Sequence, residues 1–233
     1  MSEEINDKKN VAVQAAALVE NNMVVGLGTG STANYFIEEL ARRQQQEALN
    51  VTTVSSSIIS SQIAQKQGLH VIAIENLSSL DLYVDGADEV TADLTLLKGR
   101  GSDLVREKLL AKASDKFYVL VDNSKLVSKI GERYPIPIEV LPFAWQLVLN
   151  SLEQIGGVGG LRPNAAGDGL AVSSHGSLIL DMKFDEGMDS QTLNQLLNAT
   201  PGVVEHGIFI NLATTIFIGA NGQIEQRENR AGR

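Results

Sequence analysis

Short apolar segments alternate with helix-like segments through the first half of the chain, and this alternation constrains the fold more than any other feature. The runs Met23–Leu27, Leu80–Val84 and Phe117–Val121 have the length and composition of buried strands. Neighbouring segments place apolar residues at helical spacing, as residues 5–20 do before the first of these runs. Strands that alternate with helices predict a Rossmann-like α/β domain built on a parallel sheet.

The order of the predicted elements changes in the second half of the chain. Segments typical of strands and helices follow one another there as β-α-β-β-α-β, which is the order of a ferredoxin-like domain. Two last apolar segments, 208–210 and 214–218, are suited to strands that return to the first sheet. We therefore predict an α/β catalytic domain formed by residues 1–131 and 207–233, with a smaller α+β domain, residues 132–206, inserted into it.

Composition argues against several classes of protein. The chain has no cysteine, which excludes disulfides, cysteine nucleophiles and thiolate metal sites. Its formal net charge of −9 argues against nucleic acid as a partner, though not against a small anionic substrate. No apolar run approaches the roughly 18 residues that span a bilayer, so no membrane partner is expected. The polar, acidic start is unlike a secretory signal peptide, and we expect a cytoplasmic protein.

A glycine-rich segment, residues 26–32 with the sequence GLGTGST, lies between a predicted strand and a predicted helix. Glycines let a ligand approach the backbone, and a helix N-terminus supplies N–H donors and partial positive charge. Thr29, Ser31 and Thr32 add hydroxyl groups, so the segment suits a phosphate. It is not a dinucleotide fingerprint, because Ser31 stands where the third glycine belongs, and it lacks the lysine of a P-loop. The alternative is a tight turn that needs glycine.

Paired aspartates follow the predicted strand Leu80–Val84. Asp85 and Asp88 flank two small residues, Gly86 and Ala87, at the end of a strand where ligands bind in open α/β sheets. Two carboxylates can bind sugar hydroxyls, transfer protons or hold a metal. A turn in which aspartate accepts backbone N–H groups is the alternative interpretation.

Two further motifs place cations and a carboxylate at the ends of predicted strands. Lys98, next to a glycine turn, can neutralise a phosphate or a developing oxyanion. Glu107 on the following helix can act as a general base, or the run 106–108 can form a solvated charged face. Lys125 in the segment 122–125 can bind an anion or lie in a surface turn. Because parallel strands bring their carboxyl ends to one edge, we expect these groups to converge.

Histidines do not form an evident metal site. His70, His175 and His206 lie in different predicted elements and share no ligand spacing, so we expect no bound metal.

The ordered motifs resemble the type A ribose-5-phosphate isomerase family. The resemblance covers essentially the whole chain, and its specificity comes from the order of the motifs rather than from any one of them. It is carried by GLGTGST at 26–32, YVDGADE at 83–89, LKGRG at 97–101, REK at 106–108, DNSK at 122–125 and the proline-flanked segment at 135–140.

The resemblance implies an aldose–ketose isomerase that interconverts ribose 5-phosphate and ribulose 5-phosphate in the non-oxidative pentose phosphate pathway. It implies a homodimer or homotetramer that needs no cofactor or metal. Glu107 is then the general base that moves a proton between carbon 2 and carbon 1, and Lys98 stabilises the enediolate oxygen. Asp85 and Asp88 bind sugar hydroxyls and help to open the ring.

The resemblance also implies a set of substrate-binding residues. Lys125 helps to bind the anionic substrate, and Lys8, adjacent to Lys9, matches a family lysine near the phosphate. The segment after Lys98 is usually richer in glycine and alanine, so Arg100 and Asp103 are a departure from the family pattern. The expected substrate-binding residues are Lys8, Thr29, Gly30, Ser31, Thr32, Asp85, Gly86, Ala87, Asp88, Lys98, Gly99, Arg100, Gly101 and Lys125.

Two rival functions remain at this level. Another sugar-phosphate enzyme, such as an amino-sugar-phosphate deaminase or a lactonase, also uses a glycine-rich phosphate loop. A non-catalytic sugar-phosphate sensor keeps the phosphate loop but loses the acid–base residues. The paired aspartates followed by Lys98 and Glu107 favour the isomerase, and the chain has no room for a separate DNA-binding domain.

Overall fold

The computed structural model describes residues 6–185 and 187–229. The helices are α1 (Asp7–Ala17), α2 (Ser31–Glu47), α3 (Ile58–Lys66), α4 (Leu104–Ala113), α5 (Trp145–Gln154) and α6 (Ser190–Ala199). The strands are β1 (Val24–Leu27), β2 (Thr52–Ser55), β3 (His70–Ile72), β4 (Leu80–Asp85), β5 (Glu89–Val90), β6 (Leu96–Leu97), β7 (Ser114–Asp122), β8 (Ile136–Val140), β9 (Val158–Leu161), β10 (Leu178–Lys183), β11 (Val203–His206), β12 (Ile208–Phe209), β13 (Thr215–Ala220) and β14 (Gln223–Glu228).

The chain divides into two compact units. The first unit comprises Met1–Ala87, Arg106–Leu126 and Asn211–Arg233, and the second comprises Asp88–Val105 and Val127–Ile210. Within the described residues, no helix is both long and apolar enough to cross a membrane.

The first unit is built on a seven-stranded sheet with the order β14-β13-β7-β4-β1-β2-β3. All neighbouring strands are parallel except β14, which pairs antiparallel with β13 at one edge. From the central β1, the chain moves outwards through β2 and β3, and then in the other direction through β4, β7 and β13. Ligands bind at such a reversal of strand order, so the carboxyl ends of β1 and β4 are the expected place for a site. The predicted parallel α/β sheet is confirmed.

Helix packing explains why the central strands are apolar throughout. Nearly all residues of β1 and β4 are buried, as expected for strands in a parallel sheet that helices cover on both faces. Helix α2 contributes a stripe that includes Phe36, Ile37 and Leu40 to this core, and α1 contributes Val11 and Ala15.

Helix α3 begins later than the sequence pattern predicts. We expect a helix from Ser55, whereas the structure begins it at Ile58. Ser57 has extended backbone and its hydroxyl accepts the N–H of Ser60 at 3.1 Å, which makes Ser57 the N-cap. The serines before it therefore belong to the strand end and the connecting turn, where they are available to the glycine-rich loop.

The second unit contains a four-stranded antiparallel sheet with the order β11-β8-β10-β9. Numbered within the unit, this order is 4-1-3-2, and helices α5 and α6 supply the remaining elements of the predicted β-α-β-β-α-β pattern. Ile138 and Val140 of the sheet share a core with Val148 and Leu152 of α5 and with Leu193 of α6. The predicted ferredoxin-like domain is confirmed.

Two short segments differ from the predicted organisation. The segment 208–210, expected to return to the first sheet, instead supplies β12, which pairs antiparallel with β6 in a three-stranded sheet of the second unit. Residues 88–105 also belong to the second unit, so the bounds of the units differ from the predicted 1–131, 207–233 and 132–206. The hydrophobic pattern predicts a strand at 208–210 but does not show which strand pairs with it. This explains why the segment joins a different sheet from the one expected. The other return strand, β13, does join the first sheet beside β7.

Candidate active site

Asp85 connects the end of β4 to the glycine-rich loop that follows β1. Its carboxylate is fully buried, and its Oδ1 accepts the backbone N–H groups of Thr29 at 3.1 Å and Gly86 at 2.7 Å. A Cβ atom on Gly28 would lie 2.2 Å from the carboxyl carbon of Asp85, so this position requires glycine. The close approach of the two strand ends therefore depends on both residues.

Tyr83 lies on the same side of β4 as Asp85, two residues earlier, and its hydroxyl donates a hydrogen bond to the Oδ2 of Asp85. Burial raises the pKa of the Tyr83 phenol well above its ordinary value of 10, and the charges of Asp85 and Glu107 raise it further. The ring is held by stacking on Phe117, with the centroids 4.8 Å apart. Tyr83 is therefore a permanent donor that faces two carboxylates.

Glu107 is buried near the start of α4, with 6% of its surface exposed. The charge of its carboxylate contributes to the raised pKa of Tyr83, whose hydroxyl bonds to Asp85. The neighbouring Lys108 is buried as well, so the alternative of a solvated charged face is wrong for these two residues. A carboxylate in the first turn of a helix is also favoured by the helix dipole.

Thr29 uses its hydroxyl within the protein. This oxygen donates to the hydroxyl of Ser57 at 2.7 Å and lies 3.0 Å from that of Ser56 and 3.1 Å from that of Ser60. The hydroxyl of Ser60 in turn donates to the carbonyl oxygen of Gly28 at 2.7 Å. The serine cluster thus fixes the conformation of the loop through Thr29.

The N-terminus of α2 is exposed to solvent at Gly30 and Ser31. Gly30 is the N-cap, has a φ of 107° that favours glycine, and provides no side chain to cap the helix. The first N–H groups of α2 therefore lack a side-chain cap, and Ser31 and the half-buried Thr32 add hydroxyls beside them. Such a helix start binds anions through its N–H groups and its dipole.

Lys8 contacts the start of α2, and Lys125 has one carboxylate neighbour, Asp122, in common with it. The Nζ of Lys8 lies 3.3 Å from the hydroxyl oxygen of Ser31, as its donor. Burial raises the pKa of Asp122, but hydrogen bonds from Ser124 and the charges of Lys125 and Lys8 outweigh this effect and lower it. Both lysines therefore lie near one carboxylate, and the structure selects Lys8 rather than Lys9 as the one that faces the loop.

Helix α1 is anchored in the position that brings Lys8 to the loop. The carboxylate of Asp7 accepts the N–H of Asn221 at 3.0 Å and of Gly222 at 2.7 Å, in the turn between β13 and β14. The side chain of Asn6 caps the helix by accepting the N–H of Lys9 at 3.1 Å. These hydrogen bonds fix the position of Lys8 relative to the rest of the first unit.

The second unit holds Lys98 close to β12. Its side chain is buried, its backbone N–H donates to the carbonyl oxygen of Gly207 at 2.9 Å, and its ammonium lies 5.9 Å from the centroid of the Phe209 ring. A Cβ atom on Gly207 would lie 2.3 Å from the carbonyl oxygen of Lys98, so the backbones approach as closely as glycine allows. A buried ammonium beside a turn can stabilise a developing negative charge.

The residues after Lys98 form a tight turn in the second unit. Gly99 has a φ of 100° and Gly101 is exposed. Arg100 donates its backbone N–H to the Oδ2 of Asp88 at 3.4 Å, and its guanidinium stacks 4.1 Å above the ring of Tyr134. The side chain of the unexpected Arg100 is therefore used to hold the turn.

Asp103, the other departure from the family pattern, also has a local partner in the second unit. Its Oδ1 accepts a hydrogen bond from the hydroxyl of Ser174 at 2.6 Å. The two unusual residues are thus accommodated by contacts on the second unit itself.

The predicted site residues are divided between the two units. The first unit contains Lys8, Thr29, Gly30, Ser31, Thr32, Asp85, Gly86, Ala87, Glu107 and Lys125. The second unit contains Asp88, Lys98, Gly99, Arg100 and Gly101. The chain passes between units after Ala87, Val105, Leu126 and Ile210, and the first three of these positions lie within or beside one of the predicted motifs. In the described part of the chain, no three His, Asp or Glu side chains are grouped so that they could hold a metal ion.

Sequence reasoning missed Tyr83, the serines at 56, 57 and 60, and Asp122 as parts of the site. A signal was present for Tyr83, because residues two apart on a strand point to the same side and Tyr83 precedes Asp85 by two. The serines follow β2 at its carboxyl end, as the other motifs follow their strands. Their side-chain partners lie about 30 positions earlier in the chain, which no spacing rule reveals.

Comparisons with known proteins agree with one another. A family model described as ribose 5-phosphate isomerase A (phosphoriboisomerase A) matches residues 52–223. Ribose-5-phosphate isomerase A of Thermosynechococcus vestitus is 41% identical over 95% of both chains. The protein of the same name from Thermococcus kodakarensis is 40% identical over 95% of this chain and 97% of its own.

Solved structures with the same architecture carry the same name. The ribose 5-phosphate isomerase A of Methanocaldococcus jannaschii superposes with a TM-score of 0.90 and 36% identity, covering 95% of this chain and 98% of its own. A D-ribose-5-phosphate isomerase in complex with phospho-erythronic acid superposes with a TM-score of 0.91 and 34% identity, covering 95% and 97%. The chain belongs to the ribose 5-phosphate isomerase A family.

Proposed function

We propose that this chain interconverts D-ribose 5-phosphate and D-ribulose 5-phosphate by transferring a proton between carbon 2 and carbon 1 through an enediolate. The proposed reaction follows from membership of the ribose 5-phosphate isomerase A family. The relative solved with phospho-erythronic acid, a phosphorylated sugar acid, supports a sugar phosphate as substrate. The structural observation that supports the mechanism is a buried carboxylate, Glu107, in the first turn of α4, whose charge acts on the Tyr83 phenol that bonds to Asp85.

The phosphate of the substrate binds at the start of α2. The uncapped N–H groups of this helix, the hydroxyl of Ser31 and the ammonium groups of Lys8 and Lys125 provide complementary charge. The charges of both lysines lower the pKa of Asp122, which supports their lying near one another. Binding energy from this remote group orients the sugar for proton transfer.

Glu107 is the general base. Starting from the open-chain aldose, its carboxylate takes the proton from carbon 2, and the electron pair of that bond moves to form the carbon 1–carbon 2 double bond while oxygen 1 becomes negative. The proton of the carbon 2 hydroxyl moves to oxygen 1, which becomes the carbon 1 hydroxyl and leaves the negative charge on oxygen 2. As oxygen 2 forms the ketone C=O bond, the electron pair of the carbon 1–carbon 2 double bond takes the proton back from Glu107 at carbon 1. The ammonium of Lys98 stabilises the negative oxygen of the enediolate.

Asp85 and Asp88 bind the sugar hydroxyls and help to open the ring. The hydrogen bonds that Asp85 accepts from Tyr83 and from two backbone N–H groups fix the position of its carboxylate. Asp88 is half-buried, and its Oδ2 is 3.4 Å from the backbone nitrogen of Arg100. The substrate also contacts the backbone of Gly99, Arg100 and Gly101.

The test is proton NMR of ribose 5-phosphate in D2O with the purified protein and EDTA. Appearance of ribulose 5-phosphate, with deuterium entering at the isomerising carbons, supports an enediolate isomerase that needs no added metal. Conversion of an amino-sugar phosphate or a sugar-phosphate lactone instead would support the deaminase or lactonase. Binding of ribose 5-phosphate by folded protein, without conversion or exchange, would support the sensor.

We also propose that the chain forms a homodimer or homotetramer in the cytoplasm. Phe143 is 87% exposed and Leu147 is 71% exposed at the start of α5, and such apolar side chains are suited to an interface between copies. Light scattering of the wild type and of Phe143→Asp tests the oligomer. A monomeric wild type contradicts it. Fractionation of cells that produce the protein tests its location.

A further inference from the structure

A bidentate ion pair lies within the second unit, on residues that none of the predicted motifs includes. The Nε of Arg162 donates to the Oδ2 of Asp181 at 2.8 Å, and its Nη2 donates to the Oδ1 at 2.6 Å. Arg162 directly follows β9, and Asp181 lies on the neighbouring β10. The side chains are 13% and 26% exposed. Two strands therefore fix the plane of the guanidinium.

The remaining nitrogen of this guanidinium is directed at the turn that follows Lys98. The Nη1 of Arg162 lies 3.1 Å from the carbonyl oxygen of Gly99, 3.1 Å from that of Arg100 and 3.0 Å from the hydroxyl oxygen of Ser102. Arginine is the side chain with enough N–H donors in one plane to hold a carboxylate and a backbone turn together. One residue thus connects the sheet of the second unit to this turn.

The turn needs such a contact because its backbone is strained. Gly99 and Ser102 both have left-handed φ values, 100° and 67°, and Ser102 is not a glycine. A Cβ atom on Gly99 would lie 1.5 Å from the Cδ2 of Leu104, so the turn is also tightly packed. Strained conformations persist only where surrounding contacts hold them.

We propose that Arg162, oriented by Asp181, is a positioning residue that fixes the turn 99–102 and thereby the ammonium of Lys98. The inference rests on the proposed role of Lys98 in stabilising the enediolate. Lys98 is held from its other side through its N–H bond to Gly207. With the carbonyls of Gly99 and Arg100 fixed as well, the ammonium meets the developing charge without reorganisation, which is the condition for electrostatic stabilisation.

The first experiment compares Arg162→Met and Arg162→Lys with the wild type. Arg162→Met lowers kcat by about 10- to 100-fold, because displacement of a catalytic group by about 1 Å costs this much. KM changes less than kcat, because the phosphate-binding residues belong to the first unit and only the contacts of the turn 99–101 with the sugar are weakened. Arg162→Lys restores part of kcat, since a lysine reaches the turn but not both partners.

The matched control is Arg227→Met in the first unit. Arg227 forms a similar pair with Glu225, through Nε at 2.7 Å and Nη2 at 3.3 Å, on the edge strand β14. This variant keeps wild-type kcat and KM. Trypsin cleavage after Arg100, followed by mass spectrometry, gives a readout that does not depend on activity. We expect faster cleavage in Arg162→Met and wild-type cleavage in Arg227→Met and in Lys98→Met.

The decisive experiment is a double-mutant cycle with Lys98→Met. If Arg162 acts through Lys98, adding Arg162→Met to Lys98→Met costs less than about threefold in kcat. If Arg162→Met lowers kcat as much in the Lys98→Met protein as in the wild type, the inference is overturned. It is also overturned if Arg162→Met has wild-type kcat while Lys98→Met is impaired. Wild-type turnover by Lys98→Met overturns both the inference and the role of Lys98. If Arg162→Met does not fold, Asp181→Asn and Arg162→Lys replace it in the cycle.

Discussion

The phenol of Tyr83 donates a hydrogen bond to the carboxylate of Asp85, and both side chains are fully buried. Because Asp85 also accepts the N–H groups of Thr29 and Gly86, one carboxylate connects β4, the glycine-rich loop and the turn that follows. A phenol that stays protonated keeps its donor role over a wide pH range. Tyr83 therefore remains a hydrogen-bond donor to Asp85 throughout this range.

Tyr83→Phe tests this arrangement through its pH dependence. The pKa of Tyr83 is raised in the folded state, so at high pH the unfolded chain loses this proton first. Stability is then unaffected below the ordinary pKa of about 10 and falls above it, with a slope of about 1.4 kcal/mol per pH unit from this group. We expect the free energy of unfolding in urea to fall less steeply above that pH in Tyr83→Phe. Parallel curves for the two proteins would contradict the prediction.

The same variant loses stability at neutral pH as well. Removing the hydroxyl takes a donor from a buried carboxylate, which costs about 1–3 kcal/mol. Urea unfolding at pH 7 measures this loss, and kcat/KM is expected to fall with it because the geometry of Asp85 relaxes. An unchanged free energy of unfolding would mean that Tyr83 contributes little to holding Asp85.

Lys8→Met and Lys9→Met form a matched pair that tests the phosphate site. Lys8 bonds to Ser31 and acts on Asp122, whereas Lys9 is its exposed neighbour on the same helix. A lost charge-assisted hydrogen bond costs about 1.5–3 kcal/mol, so Lys8→Met raises KM for ribose 5-phosphate by about 10- to 100-fold. Lys9→Met leaves KM within about twofold, as a screened surface charge should.

Inorganic phosphate provides an independent readout of the same pair. As a competitive inhibitor, it is expected to weaken in Lys8→Met in proportion to KM and to remain unchanged in Lys9→Met. Equal effects of the two variants would indicate general electrostatic attraction rather than a site at the start of α2.

Glu107→Gln tests the general base. The substitution preserves the shape of a buried side chain but cannot accept a proton, and general-base catalysis contributes about 10²- to 10⁴-fold. We expect kcat to fall by about this factor, KM to stay within about threefold and deuterium exchange to be lost. Glu38→Gln, on the exposed face of α2, is the control and keeps wild-type rates. Near-normal turnover by folded Glu107→Gln would remove Glu107 from the mechanism.

The parts of the site that sequence predicts are those that follow from strand order. The ends of parallel strands share an edge of the sheet, so a polar residue after a buried strand is placed by the topology alone. This reasoning placed Asp85 and the start of α2 at one edge, and the structure agrees. It could not place β12 (Ile208–Phe209), because two apolar residues fit either sheet and only their partner β6 (Leu96–Leu97) decides between them.

The parts that sequence does not predict depend on contacts between distant positions. Arg162 lies about 60 residues from the turn that it holds, and the hydroxyl of Thr29 bonds to serines about 30 residues away. The hydroxyl of a threonine in a glycine-rich loop can contact a ligand or the surrounding protein, and the sequence of the loop is the same in both cases. Only the packing of α3 against the loop directs Thr29 to the serines.

Glu139 is a fully buried carboxylate on β8 whose closest partner is a hydroxyl group. The hydroxyl of Ser173 donates to its Oε1 at 2.6 Å and accepts the backbone N–H groups of His175 at 3.3 Å and Ser177 at 3.2 Å. Removing this hydroxyl leaves a buried charge and two N–H groups with one partner fewer. We expect Ser173→Ala to lower the free energy of unfolding by about 1.5–3 kcal/mol while kcat and KM stay at wild-type values.

Ser151→Ala is the control for this prediction, because the hydroxyl of Ser151 bonds to the carbonyl oxygen of Leu147 on the exposed surface of α5. Surface changes of this kind stay within about 0.5 kcal/mol, and alanine favours a helix over serine. Urea unfolding of both variants at neutral pH separates the two cases. Equal stability of Ser173→Ala and Ser151→Ala would mean that Glu139 gains nothing from Ser173.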